Sequence, residues 1–180
     1  MPLSEPITER FQRLLTPKLA GLFGFALRLT RDRAAAEDLL QGSLATAFSR
    51  FEQLHEDAAF GAWMGRIVYR RHVDRGRKRT EELVDPTELD NVVQLHPGTS
   101  DPHREAERAQ LSERLVLALD MLPDTQREAV WLVDGQGFKF GEASQILGVP
   151  PGTVASRVVR GRLALRRELM DVASDMGVIR

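Results

Sequence analysis

The segment Phe140 to Arg162, FGEASQILGVPPGTVASRVVRGR, constrains this chain more than any other stretch. Ala143, Ile146 and Leu147 stand at i, i+3 and i+4, the spacing of one buried helical face. Gly148 follows where helices commonly end in a left-handed residue. Pro151 suits the first turn of a new helix, where its missing N–H has no helical partner to lose. From there Val154, Val158, Leu165, Leu169 and Val172 form one apolar stripe, and Thr153, Ser156, Arg157, Arg160 and Arg162 fall largely off it. Small and hydrogen-bonding groups at a helix start can approach base edges, and arginines reach guanine or phosphate. Helix, tight turn and helix in this order suit a recognition helix in a DNA major groove. A charged amphipathic helix can also be a plain solvated face; the Gly-Val-Pro-Pro-Gly-Thr-Val turn favours the DNA reading.

A second basic stretch lies upstream. From Arg66 to Arg79 there are seven basic residues, Arg66, Arg70, Arg71, Arg75, Arg77, Lys78 and Arg79, and only Asp74 opposes them. A surface of this kind attracts phosphates and gains affinity by releasing counterions. Phe60, Trp63 and Tyr69 stand beside it, and unpaired bases stack on such rings. Phe60 and Trp63 also read as ordinary core residues, Trp63 more readily so than as a stacking ring; Tyr69, among the arginines, is the better stacking candidate.

The net charge of −1 conceals this asymmetry: residues 1–79 carry +5, residues 80–107 carry −7 and residues 108–180 carry +1. Local patches, not the whole-chain balance, therefore decide nucleic-acid binding. The same cuts suggest the organisation. Residues 8–79 read as a helical bundle: Leu15, Leu19, Leu22, Phe23, Ala26 and Leu29 form one stripe, and Thr30 to Arg33 a polar break. Leu40, Leu44, Ala47 and Phe48 form a second stripe, and a polar loop from Glu52 precedes a helix starting near Phe60. Residues 80–107, with Pro86, Pro97, Gly98 and Pro102 among the acids, read as an extended linker. Residues 108–175 form a second helical domain, in which Leu111, Leu115, Ala118, Leu119 and Leu122 face one way, Pro123 ends the helix and Asp124 can cap the next. Strand-type alternation is absent, so the fold class is all-α, two small helical domains joined by a flexible acidic linker.

Zero cysteines exclude disulfides and thiolate metal sites and fit a cytoplasmic protein. The four histidines are scattered, so no metal site is expected, and nothing calls for a cofactor. No apolar run is long enough to insert in a membrane, and the start lacks the order of a secretory signal. No nucleophile–base pair, carboxylate dyad or phosphate-cradling glycine loop stands out, so no enzyme is expected.

With these residues together, the chain resembles an extracytoplasmic-function sigma factor of bacterial RNA polymerase, within the sigma-70 family. The resemblance is carried by RLTRDRAAAEDLLQGSLATAF and FGAWMGRIVYRRHVDRGRKR in the first domain, and by LPDTQREAVWLVDGQGFKFGEASQILGVPPGTVASRVVRGR in the second. It implies that the helix bearing Asp38, Leu39, Leu40 and Gln41 docks on core polymerase. The loop Glu52 to Ala59 and the helix from Phe60, with Arg66, Tyr69, Arg70, Arg71, Arg75, Arg77 and Lys78, would open and read the minus-ten promoter element. Thr153, Ala155, Ser156, Arg157, Arg160 and Arg162 would read the minus-thirty-five element. The resemblance also implies promoter DNA and an anti-sigma protein as partners. Three positions depart from the family pattern: Gly42 stands where an acidic residue is usual, Arg70 where asparagine is frequent, and Ala155 where lysine or arginine is common. Two other functions fit the residues, a helix-turn-helix regulator working without polymerase and a sigma mimic that titrates an anti-sigma protein.

Overall fold

Arg31 and Asp32 make the first corner of the fold. Arg31 takes a left-handed conformation (φ 56°), which stops one helix, and the Asp32 carboxylate accepts from the Ala35 N–H at 2.6 Å, which starts the next. The computed structural model describes residues 5–82 and 115–175, with side chains for residues 5–77 and 115–170. Its helices are α1 (Ile7–Leu15), α2 (Leu19–Thr30), α3 (Arg33–Ser49), α4 (Phe60–Glu82), α5 (115–120), α6 (Asp124–Val130), α7 (Phe140–Leu147) and α8 (Pro151–Asp175). Short 3₁₀ turns occupy Thr16–Lys18, Phe51–Gln53 and Asp57–Ala59, and a π-turn occupies Trp131–Gly135. Every regular element among the described residues is helical, in agreement with the all-α expectation. The linker expected over 80–107 lies outside the described residues apart from 80–82, where α4 continues.

The stripe read through Leu15 and Leu19 is broken in the structure. Pro17 sits in the 3₁₀ turn, and α1 is a separate helix ahead of α2. The helices α2, α3 and α4 pack against one another. Their core holds Leu22, Phe25, Ala26, Ala36, Leu39, Ala47, Met64 and Val68. Aromatic rings close one end. Phe11 meets Phe48, Phe51 and Phe60 edge-on at 5.3, 5.0 and 5.8 Å, the geometry the ring quadrupole favours.

The chain divides into two compact units, and residues 138–149 belong with the first. In the sequence the same segment reads as part of the second domain, 108–175. Helix α7 packs on α4, burying Ala143, Ile146 and Leu147. Gly65 allows it: a Cβ there would lie 3.0 Å from Ile146 Cδ1. At the end of α7, Gly148 is left-handed (φ 67°), as its position predicts, and α8 opens at Pro151.

In the second unit α6 packs on α8. Leu119, Leu122 and Val130 form a core with Ala164 and Leu165 against it, and Val154 and Val158 are fully buried. Gly161 lets the two helices touch, because a Cβ there would stand 2.6 Å from Val130 Cγ2. Pro123 stands at the N-cap position of α6, where the sequence suggests Asp124, and Asp124 lies in the first turn. Its carboxylate pairs with Arg127, which is buried and donates to the carbonyls of Asp120 and Leu122 at 3.2 Å each. The guanidinium thereby supplies hydrogen bonds to carbonyls at the α5–α6 corner.

Candidate nucleic-acid interface

The end of α3, the following 3₁₀ turn and α4 enclose an open cleft of about 660 Å³. Arg66, Arg70, Arg71 and Arg75 line one wall with Trp63, Ile67 and Asp74; Thr46, Arg50 and Gln53 line the other. Five guanidiniums against one carboxylate make this a strongly anion-attracting surface. The α3 wall escaped the sequence reading. Arg50 is a lone base in SRFEQ, with no charge run to mark it; only the crossing of α3 and α4 brings it opposite Arg66 and Arg70.

The α4 arginines divide by direction. Arg66, Arg70 and Arg77 are exposed. Arg75 reaches back to α3 and pairs with Asp38 at 2.8 Å. Arg71 lies against Gly42, where a Cβ would come within 2.3 Å of its guanidinium, and its Nε is buried with no hydrogen-bond partner. Gly42, the departure noted in the sequence, is thus the gap into which Arg71 fits. Tyr69 is half-buried and lines a smaller cleft of about 210 Å³ with Arg66, Arg70 and residues of α7. The Lys78 side chain lies outside the described residues.

Three expected contact residues belong to the core instead. Phe60 is 2% exposed, held edge-on between Phe11 and Phe51, so its ring has no free face for a base. Leu39 and Leu40 are buried behind α3 and support it from within. Asp38 and Gln41 remain exposed on the same helix. The apolar spacing that marks a helix face does not say whether the face meets the core or a partner.

On α8, Ser156 and Arg160 are exposed, and Thr153, Ala155 and Arg157 are half-buried. Arg160 Nε donates to the Ser156 carbonyl at 3.2 Å and its Nη2 to Ser156 Oγ at 3.3 Å, which lays the guanidinium along the helix. Arg162 is engaged elsewhere. It forms a two-pronged pair with Asp134 of the π-turn, Nε to Oδ2 at 2.9 Å and Nη2 to Oδ1 at 2.5 Å, and this pair raises its pKa further. Asp134 lies 28 positions upstream, and no local spacing signals the pairing.

Comparison with known proteins identifies the family. The family model for sigma-70 region 2 matches residues 14–82, and that for sigma-70 region 4 matches residues 112–165. The chain is 31% identical over 174 residues to the ECF RNA polymerase sigma factor EcfG of Rhodopseudomonas palustris, covering 96% of this chain and 92% of that one. It is 35% identical over 158 residues to the ECF RNA polymerase sigma factor SigE of Mycolicibacterium smegmatis, covering 86% of this chain and 59% of the relative. Among solved structures, the sigma factor RpoE in complex with the anti-sigma factor NepR from Bartonella quintana superposes with a TM-score of 0.69 at 29% identity, covering 89% of this chain and 96% of that one. The chain belongs to the extracytoplasmic-function sigma factors of the sigma-70 family, alternative sigma factors that direct RNA polymerase to promoters.

Proposed function

We propose that the two matched segments divide the work of initiation, residues 14–82 docking on core polymerase and melting the minus-ten element, residues 112–165 reading the minus-thirty-five element. The observation that carries this reading is the cleft lined by Arg50, Arg66, Arg70, Arg71 and Arg75. A strand separated from its partner leaves phosphates and bases to be held, and guanidiniums around Trp63 suit both. Arg66, Arg70, Arg77 and, from the opposite wall, Arg50 hold the strand. Asp38 and Gln41, exposed on α3, meet the polymerase. On α8, Thr153, Ala155, Ser156 and Arg157 lie toward base edges, with Arg160 toward the backbone.

The protein works in the cytoplasm with polymerase, without chemistry of its own, and an anti-sigma protein restrains it, as the NepR complex of the Bartonella relative suggests. No described helix is long and apolar enough to cross a membrane. Run-off transcription with purified core polymerase on genomic promoter fragments tests the reading. New discrete transcripts that require this protein are expected; absence of both transcripts and core binding overturns it in favour of a polymerase-independent regulator or a mimic.

A further inference from the structure

Helix α1 reaches across to the loop between α3 and α4. Arg10 donates to Asp57 Oδ1 from Nε at 2.8 Å and from Nη2 at 2.6 Å, and its Nη2 also reaches the Leu54 carbonyl at 3.3 Å. The same guanidinium lies over the Phe51 ring, 5.1 Å from its centroid. Arg13 takes the other oxygen of Asp57 at 3.0 Å and is itself held by Glu5 through two bonds of 2.9 Å. Phe11, between the two arginines, is buried in the aromatic cluster, which fixes the face that α1 turns to the loop.

The loop has little to hold its own shape, being two 3₁₀ turns of three residues each. Leu54 is buried, and Arg10 ties both its carbonyl and the Asp57 carboxylate. His55 and Glu56 lie between these two tethers, exposed. The family model begins at residue 14, so Arg10 and Arg13 stand ahead of the matched segment.

We infer that Arg10 and Arg13 are positioning residues for promoter reading: they clamp Asp57 and thereby hold the His55–Glu56 tip in the shape that selects a base of the melted minus-ten strand. The inference rests on the proposed role of this loop in reading that element. Holding a tip rigid before DNA arrives spares the ordering cost at binding, which is how a short loop gains discrimination. Arginine suits the task because its planar fork binds carboxylate and carbonyl in one fixed geometry.

The test uses the full chain reconstituted with core polymerase on promoters randomised across the minus-ten element. Transcript yield is read for each sequence. Arg10→Ala and Asp57→Asn are expected to flatten base preference about threefold to tenfold at the same positions, and the double variant to do no more than either single one, the mark of a coupled pair. Arg10→Lys, which keeps the charge without the fork, should fall between. Preference at the minus-thirty-five element stays unchanged. Asp57→Asn keeps the shape of the side chain and carries the test if Arg10→Ala fails to fold. A uniform fall in yield with base preference intact overturns the inference, reducing the clamp to structural support. A joint His55→Ala and Glu56→Ala variant checks the loop. If that tip variant changes preference while the clamp variants do not, the loop reading stands and the inference falls. If the tip variant leaves preference unchanged, the loop reading itself fails and the inference falls with it.

Discussion

Asp38 on α3 and Arg75 on α4 form an ion pair of 2.8 Å, joining a residue assigned to polymerase docking with one assigned to DNA. The carboxylate is 69% exposed and the guanidinium 39%, so the pair is open to exchange for other partners. An exposed pair contributes only about 0–1 kcal/mol, which makes it easy to break when a stronger basic or acidic surface arrives.

Removing Asp38 therefore has two expected effects. Asp38→Ala weakens core binding, and it releases Arg75, so that single-stranded DNA binding by the free protein gains about one unit of salt slope. Arg75→Ala leaves core affinity equal or higher. Titration of labelled core polymerase, and of DNA at several salt concentrations, checks both. An Asp38→Ala protein with full core affinity would remove α3 from the docking surface.

Two glycines should respond oppositely to a methyl group. At Gly42 the three atoms nearest the added Cβ all belong to the Arg71 guanidinium, the movable end of a long side chain. Gly42→Ala should then stabilise the first unit by about 0.5–1 kcal/mol through helix propensity, with Arg71 swinging outward. At Gly161 the Cβ meets Val130 Cγ2 at 2.6 Å inside a packed crossing. Gly161→Ala should cost about 1–3 kcal/mol in spite of the better propensity. Denaturant unfolding of both variants decides, and a stabilised Gly161→Ala protein would show that the α6–α8 crossing can spread.

Asp134 competes with DNA for Arg162. Asp134→Asn should free the guanidinium and tighten binding to minus-thirty-five duplex, the salt slope steepening by about one unit. Arg157→Ala should weaken the same duplex while sparing core binding. Fluorescence anisotropy against salt reads both variants; an unaltered slope for Asp134→Asn means Arg162 faces away from the DNA backbone.

The α1 clamp predicts an acid limit. Hydrogen bonds from Arg10 and then Arg13 hold the Asp57 carboxyl below the 3.8 of an ordinary aspartate. Because the folded value is the lower one, its stabilising contribution is complete above that ordinary value and is lost as pH falls below it toward the folded pKa. Glu5, held by Arg13, shifts in the same direction. Asp57→Asn should flatten the stability profile on the acid side and leave its shape near neutrality unchanged. Thermal melts at stepped pH measure this, and an acid limb as steep as in the parent would assign the loss to other carboxylates.

Much of the local structure was legible in the chain. Gly148 in a left-handed turn, the α8 start at Pro151, the α4 start at Phe60 and the corner at Arg31–Asp32 all follow from side chains acting on their own backbone. The apolar stripes gave the helices and the all-α class for the same reason, since a period of 3.6 residues is set within one helix. Two local cues misled. Asp124 has the chemistry of a cap, but Arg127 three residues on takes its carboxylate. Phe60 stands beside a basic run, but Phe11, far ahead in the chain, encloses it.

What the sequence by itself determined is therefore most of the helices and their order, though not the break at Pro17, and the two basic stretches that resemble a sigma factor. The tertiary structure decided which charges are free to act. Arg75 meets Asp38, Arg162 meets Asp134 and Arg10 meets Asp57 because helices cross or turn back at those points. Arg50 joins the α4 arginines for the same reason. A helix announces its periodicity within a few residues, whereas an ion pair between distant positions depends on the packing of whole faces, which only the folded core sets.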